Sequence, residues 1–245
     1  MAGTFTQLLN GDCLEIMKRI PNASVDLVIA DLPYGQTQCE WDTKIDLSLL
    51  WAELKRVGKD NTAYIFFCTT RFGYELIKSN EKWFRYDLVW QKTGSRCGFL
   101  NARKMPLRNH EMVYVFYNKL PTYNIADNHR QLQELDYDVE RETTGVYRSN
   151  NNPVAKGRSL QVWEPRLPTS IIDCAVDTKK EHKTEKPQGI LEWLIKYYSK
   201  AGDTVLDPTM GCGSCGIATR TLGRSFIGIE RNEEFFNKAM QKLAV

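Results

Sequence analysis

Apolar and polar positions follow two rhythms along this chain, and between them lies a stretch with neither. Unbroken apolar runs predict buried strands at Val25-Asp26-Leu27-Val28-Ile29-Ala30 and Ala63-Tyr64-Ile65-Phe66-Phe67-Cys68, with two more at residues 86–90 and 112–117. Helical spacing separates them. Residues 13–20 predict a short helix stopped by Pro21, residues 48–57 a helix that Ser48 can cap, and residues 71–79 a third. The apolar face of the second carries Leu49, Leu50, Leu54 and Val57. A strand–loop–helix unit opens the chain and turns at Gly11-Asp12, and residues 35–46 read as a polar loop, containing Trp41, of the kind that closes over a substrate.

From residue 118 to about 185 the periodicity lapses into Asn-rich, Pro-punctuated sequence around Asn150-Asn151-Asn152-Pro153, with scattered aromatics such as Tyr123, Tyr147 and Trp163. A length like this without regular elements is a functional insertion or a mobile segment rather than an ordinary connection. Order returns at Lys186-Pro187, which opens a helix to Tyr198 with Ile190, Leu191, Leu194 and Ile195 on one face. A strand from Thr204 then runs into the glycine-rich loop Asp207-Pro208-Thr209-Met210-Gly211-Cys212-Gly213-Ser214-Cys215-Gly216, followed by a helix over residues 217–222. Residues 225–230 predict a strand ending in Glu230, and Asn232 can cap the last helix. Strands alternating with helices predict an α/β architecture with a mostly parallel sheet.

Composition narrows the setting. A chain of 245 residues fits one large domain, or one with an inserted subdomain. Met1-Ala2-Gly3-Thr4-Phe5 carries no basic-then-apolar leader and no stretch reaches membrane-spanning length without a charge, so a soluble, cytoplasmic protein is expected. The seven cysteines are an odd, scattered set, which argues against a disulfide framework. Cys212 and Cys215 form a C-x-x-C, but no second Cys or His pair joins them at zinc-ligand spacing, and His110, His129 and His182 stand far apart; no metal is expected. The net charge of +3 is too small to diagnose a nucleic-acid partner. Its distribution says more: Lys92, Arg96, Arg103, Lys104 and Arg108 follow one another without an acid, whereas residues 127–142 hold six acids against two arginines. This predicts a basic stripe, with a solvated cationic face as its plainer reading.

Two stretches carry chemistry. Asp31-Leu32-Pro33-Tyr34 ends a buried strand with a carboxylate, a main-chain carbonyl held ahead of a rigid proline, and an aromatic ring. Those groups can grip an exocyclic amine and stack on its ring. Gly211-x-Gly213-x-x-Gly216, with Glu230 at the end of the next strand, fits two cofactors. A nicotinamide dehydrogenase would need most of its dinucleotide domain beyond this loop, where only 29 residues remain. Asp207 would also repel a pyrophosphate, whereas it would attract the ammonium and sulfonium of S-adenosylmethionine. The sign of the charge favours the latter.

Asp31-Leu32-Pro33-Tyr34 resembles the D/N/S-P-P-Y/F motif of amino-group DNA methyltransferases, with Leu32 where the family usually has its first proline; the main-chain oxygen used at that position is the same. Val205-Leu206-Asp207-Pro208, Met210-Gly211-x-Gly213 and Phe226-Ile227-Gly228-Ile229-Glu230 resemble that family's cofactor segment, with Cys212, Ser214 and Cys215 where Ser or Thr is commoner. The resemblance implies a doubly wound, seven-stranded, Rossmann-like sheet, circularly permuted because the catalytic segment precedes the cofactor segment. It implies a catalytic half at 1–118, a target-recognition insertion at 119–185 and a cofactor half at 186–245. Asp207, Pro208, Gly211 and Gly213 would then line the methionine end of S-adenosylmethionine, with Lys186 near it, while Glu230 grips the ribose and Asp12 meets the purine. Asp31, Leu32, Pro33 and Tyr34 would act on a flipped base in double-stranded DNA, held at its phosphates by the basic stripe. An Asp at the first motif position favours adenine N6, with cytosine N4 and a non-catalytic DNA- or cofactor-binding subunit as alternatives. RNA as substrate and a homodimer are left open at this stage.

Overall fold

A computed structural model describes residues 3–35, 43–132, 135–136, 159–160, 163–176 and 185–243. Trp41 and most of its expected loop lie outside them, as do Cys39, Tyr147, the run at 150–153 and His182. The chain divides into two compact units, one made of Met1–Asn124 with Thr169–Val245, the other of Ile125–Pro168.

The larger unit begins with β1 (Thr6–Asn10) and α1 (Cys13–Met17), whose first turn is capped by Asp12. The apolar runs then form β2 (Val25–Ala30) and β3 (Gly58–Cys68), with α2 (Leu47–Val57) between them. Asp46 caps α2, accepting from the amides of Ser48 and Leu49, so Ser48 is one of the capped residues rather than the cap. A carboxylate accepts two orphan amides at once and has the negative charge that a helix N-terminus favours. After α3 (Thr70–Ser79) come β4 (Phe84–Thr93) and β5 (His110–Phe116), which pair antiparallel. The smaller unit contains two short ladders, β6 (Arg130–Gln131) with β9 (Trp163–Glu164), and β7 (Leu135–Asp136) with β8 (Ser159–Leu160).

The larger unit resumes at β10 (Ile171–Ala175) and continues through α4 (Gln188–Tyr198), β11 (Thr204–Asp207), α5 (Ser214–Thr221), β12 (Ser225–Glu230) and α6 (Glu233–Leu243). Its sheet runs β1-β12-β11-β2-β3-β5-β4-β10, parallel throughout except where β5 lies between β3 and β4. Among the described residues it therefore has eight strands instead of the expected seven. The eighth, β10, comes from the aperiodic stretch. Only Ile172 of its five residues is buried, and its short run Ile171-Ile172-Asp173-Cys174-Ala175 stands alone beside polar, Pro-punctuated sequence. Its order comes from pairing with β4 and from the Trp90 Nε1 donor on the Cys174 carbonyl at 2.9 Å.

Helices form two layers: α1 packs on α2 and α2 on α3, while α4 packs on α5 and α5 on α6. Alternate residues of the strands face each layer. Val28, Ala30, Tyr64, Phe66, Leu206 and Ile229 bury against Leu50, Trp51 and Leu54 of α2, whereas Phe226 meets Gly216 of α5. Trp51 lies at the centre of the first core, its ring 5.4 Å from Phe66 and 5.1 Å from Phe116, and its indole N–H donates to Ser79 Oγ at 2.9 Å. That bond removes the cost of burying the polar end of the ring.

Candidate active site

β2 and β11 lie side by side, Leu27 opposite Val205 and Val28 opposite Leu206, so the chain leaves both carboxyl ends into one crevice. The strand order reverses direction here, the place where open α/β sheets bind ligands. Thr209 fastens the two loops: its amide donates to Asp207 Oδ1 at 3.0 Å and its hydroxyl to the Asp31 main-chain oxygen at 3.2 Å. The crevice is a cavity of about 750 Å³. Asp12, Asp31, Leu32, Pro33 and Tyr34 line it from the first part of the chain, and Lys186, Asp207, Pro208, Gly211 and Glu230 from the last.

Asp31 is held on both oxygens. Tyr34 Oη donates to Oδ1 at 2.7 Å and also approaches the Phe67 carbonyl at 3.1 Å, while Lys186 Nζ sits 2.6 Å from Oδ2. The Tyr34 ring lies on Phe72 with centroids 4.9 Å apart, and the Leu32 side chain is buried in the core. Lys186, expected near the cofactor's methionine end, thus has its ammonium on Asp31. The same ammonium meets Glu111 Oε1 at 2.9 Å, and Lys92 takes Glu111 Oε2 at 2.8 Å. Two carboxylates and two ammoniums alternate in the order Asp31, Lys186, Glu111, Lys92, with the Lys186 side chain only 13% exposed. Burial alone would push Lys186 toward neutrality, but Asp31 and Glu111 outweigh it and hold its pKa above the ordinary lysine range. Burial likewise opposes ionisation of Glu111, and Lys186 with Lys92 reverses that, keeping its pKa below the usual carboxylate range. Tyr34 is raised by burial first and then by the charges of Asp31 and Glu111, so it stays a neutral donor.

Glu111 was not singled out by sequence. The available signal was a carboxylate at the head of an otherwise apolar strand; the structure pairs it with Trp90 of β4. Lys92, expected among phosphate contacts, points inward to Glu111 and over the Trp90 ring at 4.6 Å. Arg108 lines the cavity mouth, whereas Arg96, Arg103 and Lys104 are exposed on the connection between β4 and β5 and do not line it.

The other end of the cavity is acidic. Asp207 is 6% exposed, and burial, helped by the charges of Asp31 and Glu230 and opposed by the Thr209 amide, pushes its pKa up to about 8. A buried carboxyl of this kind fits a cationic ligand, whose charge would offset its ionisation. Glu230 accepts from the amides of Gly211 and Asn232 at 2.9 and 2.7 Å, which fixes its carboxylate toward the glycine loop. Asp12 spends one oxygen on capping α1. Glu185 accepts from Ser214 Oγ and Lys242 Nζ, both at 2.7 Å, and lines the same cavity. The glycines divide their work. Gly211, at φ +54°, turns the loop at the cavity wall. Gly213, at φ +84°, is not among the lining residues; it starts α5 three residues earlier than expected, where a side chain would press on Ala239.

Among the described residues no three His, Cys, Asp or Glu side chains are placed to hold a metal ion, and no helix is long and apolar enough to cross a membrane. Cys212 and Cys215 are both buried.

Comparison with known proteins accords with this architecture. The chain is 29% identical over 264 aligned positions to the type II methyltransferase M.HinfI of Haemophilus influenzae, covering 96% of this chain and 67% of that one. It is 26% identical over 245 positions to the type II methyltransferase M1.MboII of Moraxella bovis, covering 93% and 92%. Its fold is that of M1.HpyAVI, solved as a complex with SAM, at TM-score 0.63 and 22% identity over 98% of this chain and all of that one. It is also that of the PvuII DNA methyltransferase, described as cytosine-N4-specific, at TM-score 0.68 and 13% identity over 97% and 86%. Residues 25–241, spanning both Asp31 and Asp207, match the DNA methylase family of N6 and N4 methyltransferases, and the chain belongs to that family.

Proposed function

We propose that this chain transfers a methyl group from S-adenosylmethionine to the N6 amine of an adenine flipped out of double-stranded DNA. Family membership supports DNA amino-methylation as the reaction; the choice of adenine over cytosine N4 rests on the carboxylate of Asp31 at the head of the motif. The observation that carries the proposal is the meeting of Asp31 and Asp207 across one crevice, although 176 positions separate them in the sequence.

S-adenosylmethionine, when bound, supplies a methyl group on a positively charged sulfur. Asp207, Glu230, Gly211 and Asp12 would hold it at the acidic end, with Pro208 shaping the loop. The aromatic amine is a poor nucleophile because its lone pair is delocalised into the ring. Asp31 and the Leu32 carbonyl would accept its two N–H bonds and turn the lone pair toward the methyl group. Tyr34 and Lys186 hold the carboxylate in place for that task, and Pro33 restricts the backbone that presents the carbonyl. Flipping costs a few kcal/mol, roughly, which contacts in the pocket must offset. Arg96, Arg103, Lys104 and Arg108 would supply salt-sensitive phosphate contacts. Within residues 119–185, the compact unit Ile125–Pro168 would read the target sequence, while β10 belongs to the sheet.

Labelled methyl transfer to unmethylated DNA, followed by mass spectrometry of the nucleosides, tests this reading. N6-methyladenine from the wild type, lost in Asp31→Ala while cofactor binding stays within a few-fold, is the expected result. N4-methylcytosine would move the reaction to the other amine, and undiminished transfer by Asp31→Ala would overturn the catalytic assignment.

A further inference from the structure

The connection between β4 and β5 is not a slack loop. Its neck is closed by reciprocal backbone bonds between Cys97 and Arg108, at 2.8 and 3.0 Å. Its tip is a single 3₁₀ turn, Phe99–Asn101, entered through Gly98 at φ +93° and tied back by the Lys104 and Met105 amides on the Asn101 carbonyl. On this ordered tip three large apolar side chains face solvent: Phe99 is 67% exposed, Met105 57%, and Leu100 fully. Exposing them costs free energy that no described residue of the larger unit recovers.

Two features say what covers them. No acid occurs from Lys92 through His110, and Arg96, Arg103, Lys104 and Arg108 flank the apolar tip, so its complement is anionic at the rim and apolar at the centre. The neck also stands on the cavity wall, where Arg108 and His110 line the mouth that leads to Asp31. A duplex offers that combination at one place, a base step between two phosphate backbones, and apolar side chains are known to enter such steps by unstacking them.

We propose that Phe99 and Leu100 form a wedge that enters the duplex beside the target base and holds open the gap left when that base swings into the cavity. The wedge rests on the reading of the chain as a base-flipping DNA methyltransferase. Its contribution is to the unstacking of a paired base and not to the transfer itself. It is therefore dispensable when the base is already free.

The test uses the full-length protein. Methylated sites are first mapped in unmethylated phage DNA, and short duplexes are built around one such site with the target base either normally paired or opposite an abasic position. Wild type, Leu100→Ala and the Phe99→Ala/Leu100→Ala double variant are compared; both positions are exposed, and circular dichroism verifies the fold. On the paired duplex the double variant should lose about tenfold or more in transfer rate, the scale of a lost unstacking contribution. Opposite the abasic position it should stay within about twofold of wild type, and 2-aminopurine at the target position should brighten less with the variant only in the paired duplex. Equal losses on both duplexes, or no loss on the paired one, would overturn the wedge. Equal losses accompanied by a dimer that dissociates in the variant would assign the tip to self-association instead. Absence of DNA methylation by the wild type would instead remove the functional reading beneath it.

Discussion

At the scale of single residues, the unusual arrangement is one ammonium held between two carboxylates. Lys186 is 2.6 Å from Asp31 and 2.9 Å from Glu111, so its removal leaves two negative groups facing each other in a buried site. Lys186→Met should therefore leave Asp31 and Glu111 repelling each other and lower the rate of methyl transfer, with S-adenosylmethionine affinity changed by only a few-fold. Stability should fall by about 3–5 kcal/mol, the usual cost of breaking a buried pair on one side; a denaturant titration checks that figure and single-turnover kinetics check the transfer rate. Asp207 makes the opposite kind of prediction. Its folded pKa of about 8 lies above the ordinary value of 3.8, so between those values the native protein holds a proton that the unfolded chain has released. Stability without ligand should then decline as pH rises from about 4 to about 8. The decline should flatten in Asp207→Asn, as measured by thermal unfolding across that range. A cationic cofactor favours the ionised form, so its binding near neutral pH should release protons, measurable by calorimetry in buffers of different ionisation enthalpy.

Elements explain why some positions were readable in advance and others were not. The strand at 25–30 and the strand at 225–230 emerge with the expected limits because a strand buried on both faces must be largely apolar. Asp31 and Asp207 were visible because each carboxylate interrupts the end of such a run. The position of Lys186 on Asp31 was hidden because it depends on a contact across 155 positions, and Glu111 was hidden because its partners come from β4 and from the segment just before α4. In the glycine loop, the motif alone did not separate backbone turning from close packing. At Gly216 the structure does: a Cβ there would lie 2.7 Å from Phe226 Cε1 and 2.8 Å from Leu243 Cδ1. Gly216→Ala should therefore destabilise the protein by about 1–2 kcal/mol, since overpacking of about 1–3 kcal/mol exceeds the helix-propensity gain of up to about 1 kcal/mol. Urea unfolding measures the difference; a more stable variant would show that α5 can shift freely on β12.

The whole molecule places the two ends of its chain in one sheet. β1 pairs with β12 and β2 with β11, so neither the first 118 residues nor the last 60 can complete the crevice alone. All eight strands of the sheet nevertheless lie within residues 3–124 and 169–243, outside the compact unit Ile125–Pro168. A separable unit inserted between two interdependent halves suits a division of labour in which the halves do the chemistry and the insertion selects the sequence. Replacing 125–168 by a flexible Gly–Ser linker long enough to join the ends should then preserve cooperative unfolding, because loop-closure entropy changes only slowly with length. Cofactor binding should stay within a few-fold of wild type, since Asp12, Asp207, Gly211 and Glu230 all remain. Methylation of genomic DNA, mapped base by base, should lose its confinement to particular sites and weaken. Unchanged site specificity in the shortened protein would transfer sequence readout to the larger unit, with the basic connection between β4 and β5 as the element to examine next.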